Sequence, residues 1–377
     1  MTMPQLAFFP WIDLEDDVEI GSYSLKRYMR ESLPAVNEEC RTTLDSVLAP
    51  YRDAWDDPVG SAVMLNRKGR GLTDDLSGED RDDLFRFAEL FSFVALAVRE
   101  FFVRDYYYNR ENLRLVIQAF ADPQGGAVVN VRRRDGVVQS IIPGALYRVP
   151  APDHVAFPGL TIKPDWALLD ALLASRAHEA WSRLYQGIVL FNQANTDAPD
   201  VSMDTELVLT YAAMEQILGI SSRSDRSRFH ARFAEAWPPS REVPRSEWRA
   251  PPAGRTWAKD SLRACWAFDL ERCRGSVAHG HHLGQLPSLW EVPQHLLLAS
   301  FAIPRLVKQV LSGVGLYTLT GDDRRDLDAF ELLLNLPDLT GPPGSAREHE
   351  SRSTESVAWQ RVLPYSRSLE SVLAELR

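Results

Sequence analysis

Arg274 and His279 stand five positions apart in the run Glu271-Arg272-Cys273-Arg274-Gly275-Ser276-Val277-Ala278-His279-Gly280-His281-His282, and Arg272 lies two residues further upstream. Arginine carries a permanent charge on a planar fork of donors that matches phosphate oxygens. Histidine gives and takes protons near neutral pH. RNA brings its own nucleophile, the 2′-hydroxyl. A base, an acid and a charge clamp on the phosphate are therefore enough to cleave it, without a metal ion.

On a regular helix Arg274 and His279 are separated by roughly 140° of rotation, at about 100° per residue. Arg272 and His279 fall on nearly the same face, roughly 10 Å apart along the axis. Neither pair closes a compact site in one straight helix, although Gly275 can loosen the turn. A second copy of the run, from a partner subunit, would supply the missing groups. The plainer alternative is a solvated basic helix end that turns at Gly280, since short Arg/His patterns are common.

The surrounding elements narrow the choice. Thr205 to Gly219 reads as an amphipathic helix, with Leu207, Tyr211, Met214 and Leu218 at helical spacing. Asp204 is its expected N-cap and Gly219 its stop. An arginine-rich segment follows, then a helix near 256–270, the Arg/His run, and a long apolar helix near 293–312. This order resembles the HEPN superfamily, whose members combine an early Leu-x6-Glu-x2-Leu helix with a late Arg-x4–6-His motif. Val208, Glu215 and Leu218 match the first pattern, with valine in place of leucine, and Arg274 to Gly280 matches the second. The resemblance covers roughly residues 165–335. It implies a helical bundle, a metal-independent endoribonuclease active as a homodimer, and a role in prokaryotic antiphage defence or as a toxin. Arg274, His279 and Glu215 would then be catalytic, and Arg272, Ser276 and His281 would bind RNA. Active members carry Asn, Asp or His directly after the motif arginine, and this chain has Gly275. That departure keeps a second reading open: a non-catalytic HEPN protein that binds RNA, a nucleotide or a protein partner.

The rest of the chain sets bounds. A length of 377 residues suffices for two domains with proper cores. Cys40, Cys265 and Cys273 are odd in number and widely spaced, which fits free thiols in a reducing cytoplasm. His279, His281, His282 and His295 lack a familiar zinc spacing, so neither a metal nor a cofactor is expected. The best membrane candidate, Phe91 to Phe102, is short and interrupted, so no membrane association is expected. A net charge of −10 argues against indiscriminate nucleic-acid binding. Arginine is nevertheless dense between Ser221 and Arg274, where Trp237, Trp248 and Trp257 could stack on bases or pack a long loop.

The expected fold class is α+β: a mixed N-terminal domain over residues 1–160, sensing or regulatory in role, then an all-α HEPN-like bundle over 165–335. Short apolar runs between Phe8 and Tyr28 read as strands, and Ser77 to Tyr106 as a helix. Leu113–Phe120 and Ala127–Arg133 read as strands, with a hairpin turn at Asp135-Gly136 and Val137–Ile142 returning. Prolines from Pro143 to Pro164 mark the passage between domains. Residues 336–377 read as a flexible linker and terminal segment.

Overall fold

The computed structural model describes residues 5–29, 44–70, 76–101, 107–119, 126–143, 148–152, 160–220, 228–278 and 288–336. His279, His281 and the expected C-terminal linker lie outside them. The chain divides into two compact units, residues 1–170 and 171–377.

The fold is α+β. The first unit carries one antiparallel sheet, formed by β1 (Gln5–Phe9), β2 (Val18–Ile20), β3 (Tyr23–Met29), β4 (Ser61–Arg67), β5 (Val116–Ala119), β6 (Gly126–Arg133) and β7 (Gly136–Pro143) in the order β2-β3-β4-β1-β5-β6-β7. β1 lies between β4 and β5, with Phe8 opposite Met64 and Ala7 opposite Ile117. Its run Leu6-Ala7-Phe8-Phe9 is buried on both faces, which is why it is uniformly apolar rather than alternating. Leu6, Phe8, Tyr28, Tyr51 and Met64 belong to one core cluster. On the other side α1 (Gly78–Leu96) packs through Phe87 and Phe91 against Tyr23 and Phe9, with ring centroids 4.2 and 5.1 Å apart. Ser77 and Asp80 form a capping box at its start, satisfying two otherwise orphaned backbone donors. The helix ends at Leu96, well short of the expected Tyr106. The hairpin also differs: Arg133 pairs with Gly136, so Arg134 and Asp135 make the two-residue turn.

In the second unit, α2 (Trp166–Ala174) crosses the boundary, and all further regular elements among the described residues are helical. They are α3 (Trp181–Gln193), α4 (Met203–Ile217), α5 (Phe229–Ala236), α6 (Leu262–Ala278), α7 (Val292–Gly313) and α8 (Gly321–Leu334), with short 3-10 turns at Ser175–Ala177 and Arg245–Glu247. α4 starts at Met203, just before the expected Thr205. Ser202, not Asp204, is its N-cap, accepting from the Thr205 amide, and Gly219 follows it with φ +68°. α6 lies C-terminal to its expected range and continues through Gly275 to Ala278 without interruption. The glycine therefore does not loosen it.

The core of this unit is aromatic. Phe233, Trp237, Trp266, Phe301 and Phe330 are all buried and in ring contact. Trp237 is thus a core residue, not a base-stacking one. Trp248, Trp257 and Trp290 pack on one another, with Arg249 against the last two. Within the bundle, the Arg263 guanidinium bonds Glu331 at 2.9 Å and Glu242 at 2.6 Å.

α7 corrects one expectation. Its 22 residues include a window of mean hydropathy 1.3, long and apolar enough to cross a membrane by length and composition. Half of that window is buried within the bundle, by Leu298, Phe301, Leu306 and Val307 among others. Arg305 and Lys308 on the same helix pair with Asp326 and Asp323 of α8.

Candidate active site on α4 and α6

α6 presents one face to the core and one outward. At about 100° per residue, Phe268, Glu271, Arg274 and Gly275 fall on one side and Asp269 and Cys273 on the other. Burial follows this division: Asp269 and Cys273 are 2 % and 3 % exposed, while Phe268, Glu271, Arg274 and Gly275 are half-buried.

On the outward side Arg274 meets α4. Its guanidinium carbon lies 5.2 Å from the centre of the Tyr211 ring, a distance at which charge and ring quadrupole attract. Its buried Nε has no hydrogen-bond partner among the described residues. Glu215 is one turn beyond Tyr211 on α4 and buried. Glu271, one turn before Arg274, feels both: the charge of Glu215 raises its pKa and that of Arg274 lowers it. Burial is the largest influence and Lys259 also acts, and the net result is a carboxyl that holds its proton to higher pH than usual.

A second set of groups surrounds Phe268. Lys259 Nζ stands 4.3 Å from its ring centre, the Arg272 guanidinium 6.0 Å and the His230 ring 5.6 Å. Burial, reinforced by Lys259, depresses the His230 pKa, so that the imidazole is neutral at physiological pH. Its Nδ1 is buried without a partner among the described residues.

Of the residues expected from the sequence, Arg274 and Glu215 both lie close enough to Glu271 to shift its pKa. Arg272 does not join them: two residues along a helix is roughly 200°, and its exposed side chain reaches toward Phe268 instead. Ser276 is half-buried near the end of α6. Tyr211, His230, Lys259 and Glu271 were not anticipated. Two of them carried a local signal, Tyr211 four residues before Glu215 and Glu271 three before Arg274, spacings that share a helix face. His230 and Lys259 reach the site only through the packing of other segments onto α6.

On the core side, Asp269, Cys273 and His295 place a carboxylate oxygen, Sγ and a ring nitrogen all within 4.8 Å of one another. His295 Nε2 is 3.3 Å from Asp269 Oδ2 and 3.8 Å from Cys273 Sγ. Asp269 Oδ2 also accepts from the Leu289 and Trp290 amides at 2.7 and 3.1 Å. Burial, with the Asp269 charge, pushes the Cys273 thiol up to about 12.

Chemically, the outward site offers a guanidinium whose Nε has no partner among the described residues, a carboxyl with a raised pKa beside a second carboxylate, and an imidazole with a lowered pKa nearby. No family model, no curated protein and no solved structure matches this chain.

Proposed function

We propose that the helical unit is a metal-independent endoribonuclease of the HEPN type, acting on RNA as a two-fold homodimer in the cytoplasm, with antiphage defence or toxicity as its biological setting. The observation that carries this reading is the Arg274 guanidinium beside Tyr211, with a buried Nε that lacks a partner among the described residues and with Glu271 one turn away. A buried donor left unmade costs about 1–3 kcal/mol, and a ligand oxygen that reached it would remove that cost.

In this mechanism Arg274 holds the scissile phosphate and stabilises the charge that grows in the transition state. His279, five residues on, moves the proton of the 2′-hydroxyl or of the leaving 5′-oxygen. Glu215 holds the basic groups in place. Arg272, Ser276 and His281 contact neighbouring nucleotides, and a two-fold dimer brings two such sets to one cleft. Gly275 favours a second reading, a non-catalytic HEPN protein that binds RNA, a nucleotide or a protein partner, because the polar side chain that follows the arginine in active members is missing.

The deciding experiment incubates purified protein with total RNA and EDTA. Cleavage should proceed, leave 2′,3′-cyclic phosphate ends, and stop when the nucleotide at the cut is 2′-deoxy. Binding without cleavage would establish the non-catalytic reading, and cleavage of 2′-deoxy substrate would end the nuclease mechanism. Light scattering that finds a monomer at micromolar concentration with full activity would rule out the dimer.

A further inference from the structure

We propose that Asp269, Cys273 and His295 form a binding site for a single zinc-type divalent cation that staples α6 to the first turn of α7.

Three observations carry it. The donor set is mixed and convergent: one carboxylate, one sulfur and one imidazole nitrogen lie within 4.8 Å of one another, all on buried residues. Two of the three ligand-to-ligand edges come near those of tetrahedral zinc, and the third is within 4.8 Å. With Zn–S about 2.3 Å and Zn–N and Zn–O about 2.0–2.2 Å, ligand-to-ligand edges come to about 3.4–3.6 Å. Nε2 to Oδ2 is 3.3 Å and Nε2 to Sγ is 3.8 Å. The third is orientation. The Leu289 and Trp290 amides both donate to Asp269 Oδ2 and fix the carboxylate, so a cation would share that oxygen with them or take Oδ1. Asp269 and Cys273 are one turn apart on α6, so the helix itself aligns them.

Charge favours the same conclusion. A dication with one thiolate, one carboxylate and a neutral imidazole is electrically neutral, which avoids the large cost of an uncompensated buried charge. Thiolate and imidazole select a zinc-like ion over magnesium or calcium. On binding, the Cys273 thiol proton leaves to solvent. The Nε2 lone pair goes to the metal, so the neutral ring carries its proton on Nδ1, an atom with no hydrogen-bond partner among the described residues. Three protein ligands leave a fourth position for a water molecule.

The consequence is mechanical. Cys273 and His295 are 22 residues apart in sequence, and the stretch between them contains Gly275 and His279. A cation joining the two residues ties α6 to the first turn of α7 on either side of this stretch. It takes no part in the proposed RNA chemistry, because Asp269 and Cys273 lie on the side of α6 opposite Glu271 and Arg274.

The test uses the untagged full chain, stripped by dialysis and reloaded with zinc or cobalt(II) alone. Zinc should bind at one equivalent and raise Tm by mass action. The cobalt form should show a thiolate-to-cobalt charge-transfer band. Losing an outer-sphere partner weakens metal binding about 10–100-fold, so Cys273→Ser or Asp269→Asn should weaken it by about 100-fold or more. Should these variants not fold, nitrogen-15 NMR of the wild type reads the same event: zinc moves the His295 ring proton to Nδ1. The proposal is overturned if the loaded chain holds less than about a tenth of an equivalent, if the charge-transfer band survives Cys273→Ser, or if the His295 tautomer does not respond to zinc. None of these readouts involves RNA, so this proposal and the nuclease reading can fail separately.

Discussion

Arg274 and Tyr211 bind α6 to α4 through a cation above a ring, 5.2 Å from guanidinium carbon to ring centre. The Arg274 Nε has no hydrogen-bond partner among the described residues. Replacing Arg274 with lysine keeps the charge and removes the planar fork. We expect RNA cleavage to fall about 100- to 1,000-fold, the usual cost of losing one oriented donor, with an unchanged circular dichroism spectrum. Equal cleavage by wild type and Arg274→Lys would remove Arg274 from the mechanism.

The proposed mechanism gives proton transfer to His279, so His279→Ala should lose about 100- to 10,000-fold in rate, the range for a positioned acid or base. His230 is the informative control, because it is neutral at physiological pH and lies near the same face of α6. Single-turnover rates for both alanine variants decide between them. A harmless His279→Ala and an inactive, folded His230→Ala would transfer the role to His230.

Glu271 makes a pH prediction. Burial raises its folded-state pKa above the ordinary 4.5. Its contribution to stability is therefore fully present below about pH 4.5 and is lost as pH rises through the raised value. Glu271→Gln does not titrate, so its Tm should gain on wild type between pH 4.5 and neutrality. Thermal melts of both proteins across that window check the sign, and a constant Tm difference would contradict the shift.

Two helical glycines should respond in opposite ways. Among the described residues a Cβ on Gly275 meets nothing within 4 Å, so Gly275→Ala should stabilise the fold by about 0.5–1 kcal/mol through helix propensity alone. Urea midpoints measure this. The same open space admits Gly275→Asn, and a rise in cleavage on that change would show that the missing polar side chain limits activity.

Gly187 lets α3 approach α4. A Cβ there would stand 2.6 Å from Ile217 Cγ1 and 3.0 Å from the Ala213 carbonyl oxygen. Gly187→Ala should destabilise by about 1–3 kcal/mol, as overpacking does. A second change, Ile217→Ala, removes both the Cγ1 carbon at 2.6 Å and the δ-methyl carbon at 3.2 Å, so the double variant should lose less than the sum of the two single changes. Denaturant titration of the single and double variants measures the coupling.

Much of this protein was legible from local pattern alone. The α+β class followed from short apolar runs in the first part and helical periodicity in the second. The span of α7 and the strand before the β6–β7 turn were read within a few residues, because each depends on neighbours near in sequence. Arg274 and Glu215 were singled out by a motif resemblance, and both act on Glu271, a residue the motif does not include. Element ends were read less well. Ser202 outcompetes Asp204 as a cap, and α1 stops at Leu96, because caps and stops depend on local hydrogen bonds that periodicity does not encode. Tertiary structure alone decided the rest. It turned Trp237 into a core residue, brought His230 and Lys259 to Phe268, and gathered Asp269, Cys273 and His295 in the interior. These groups are far apart in sequence, and which of them meet depends on how amphipathic faces pack, a choice made by burial across the whole bundle rather than by any short run of residues.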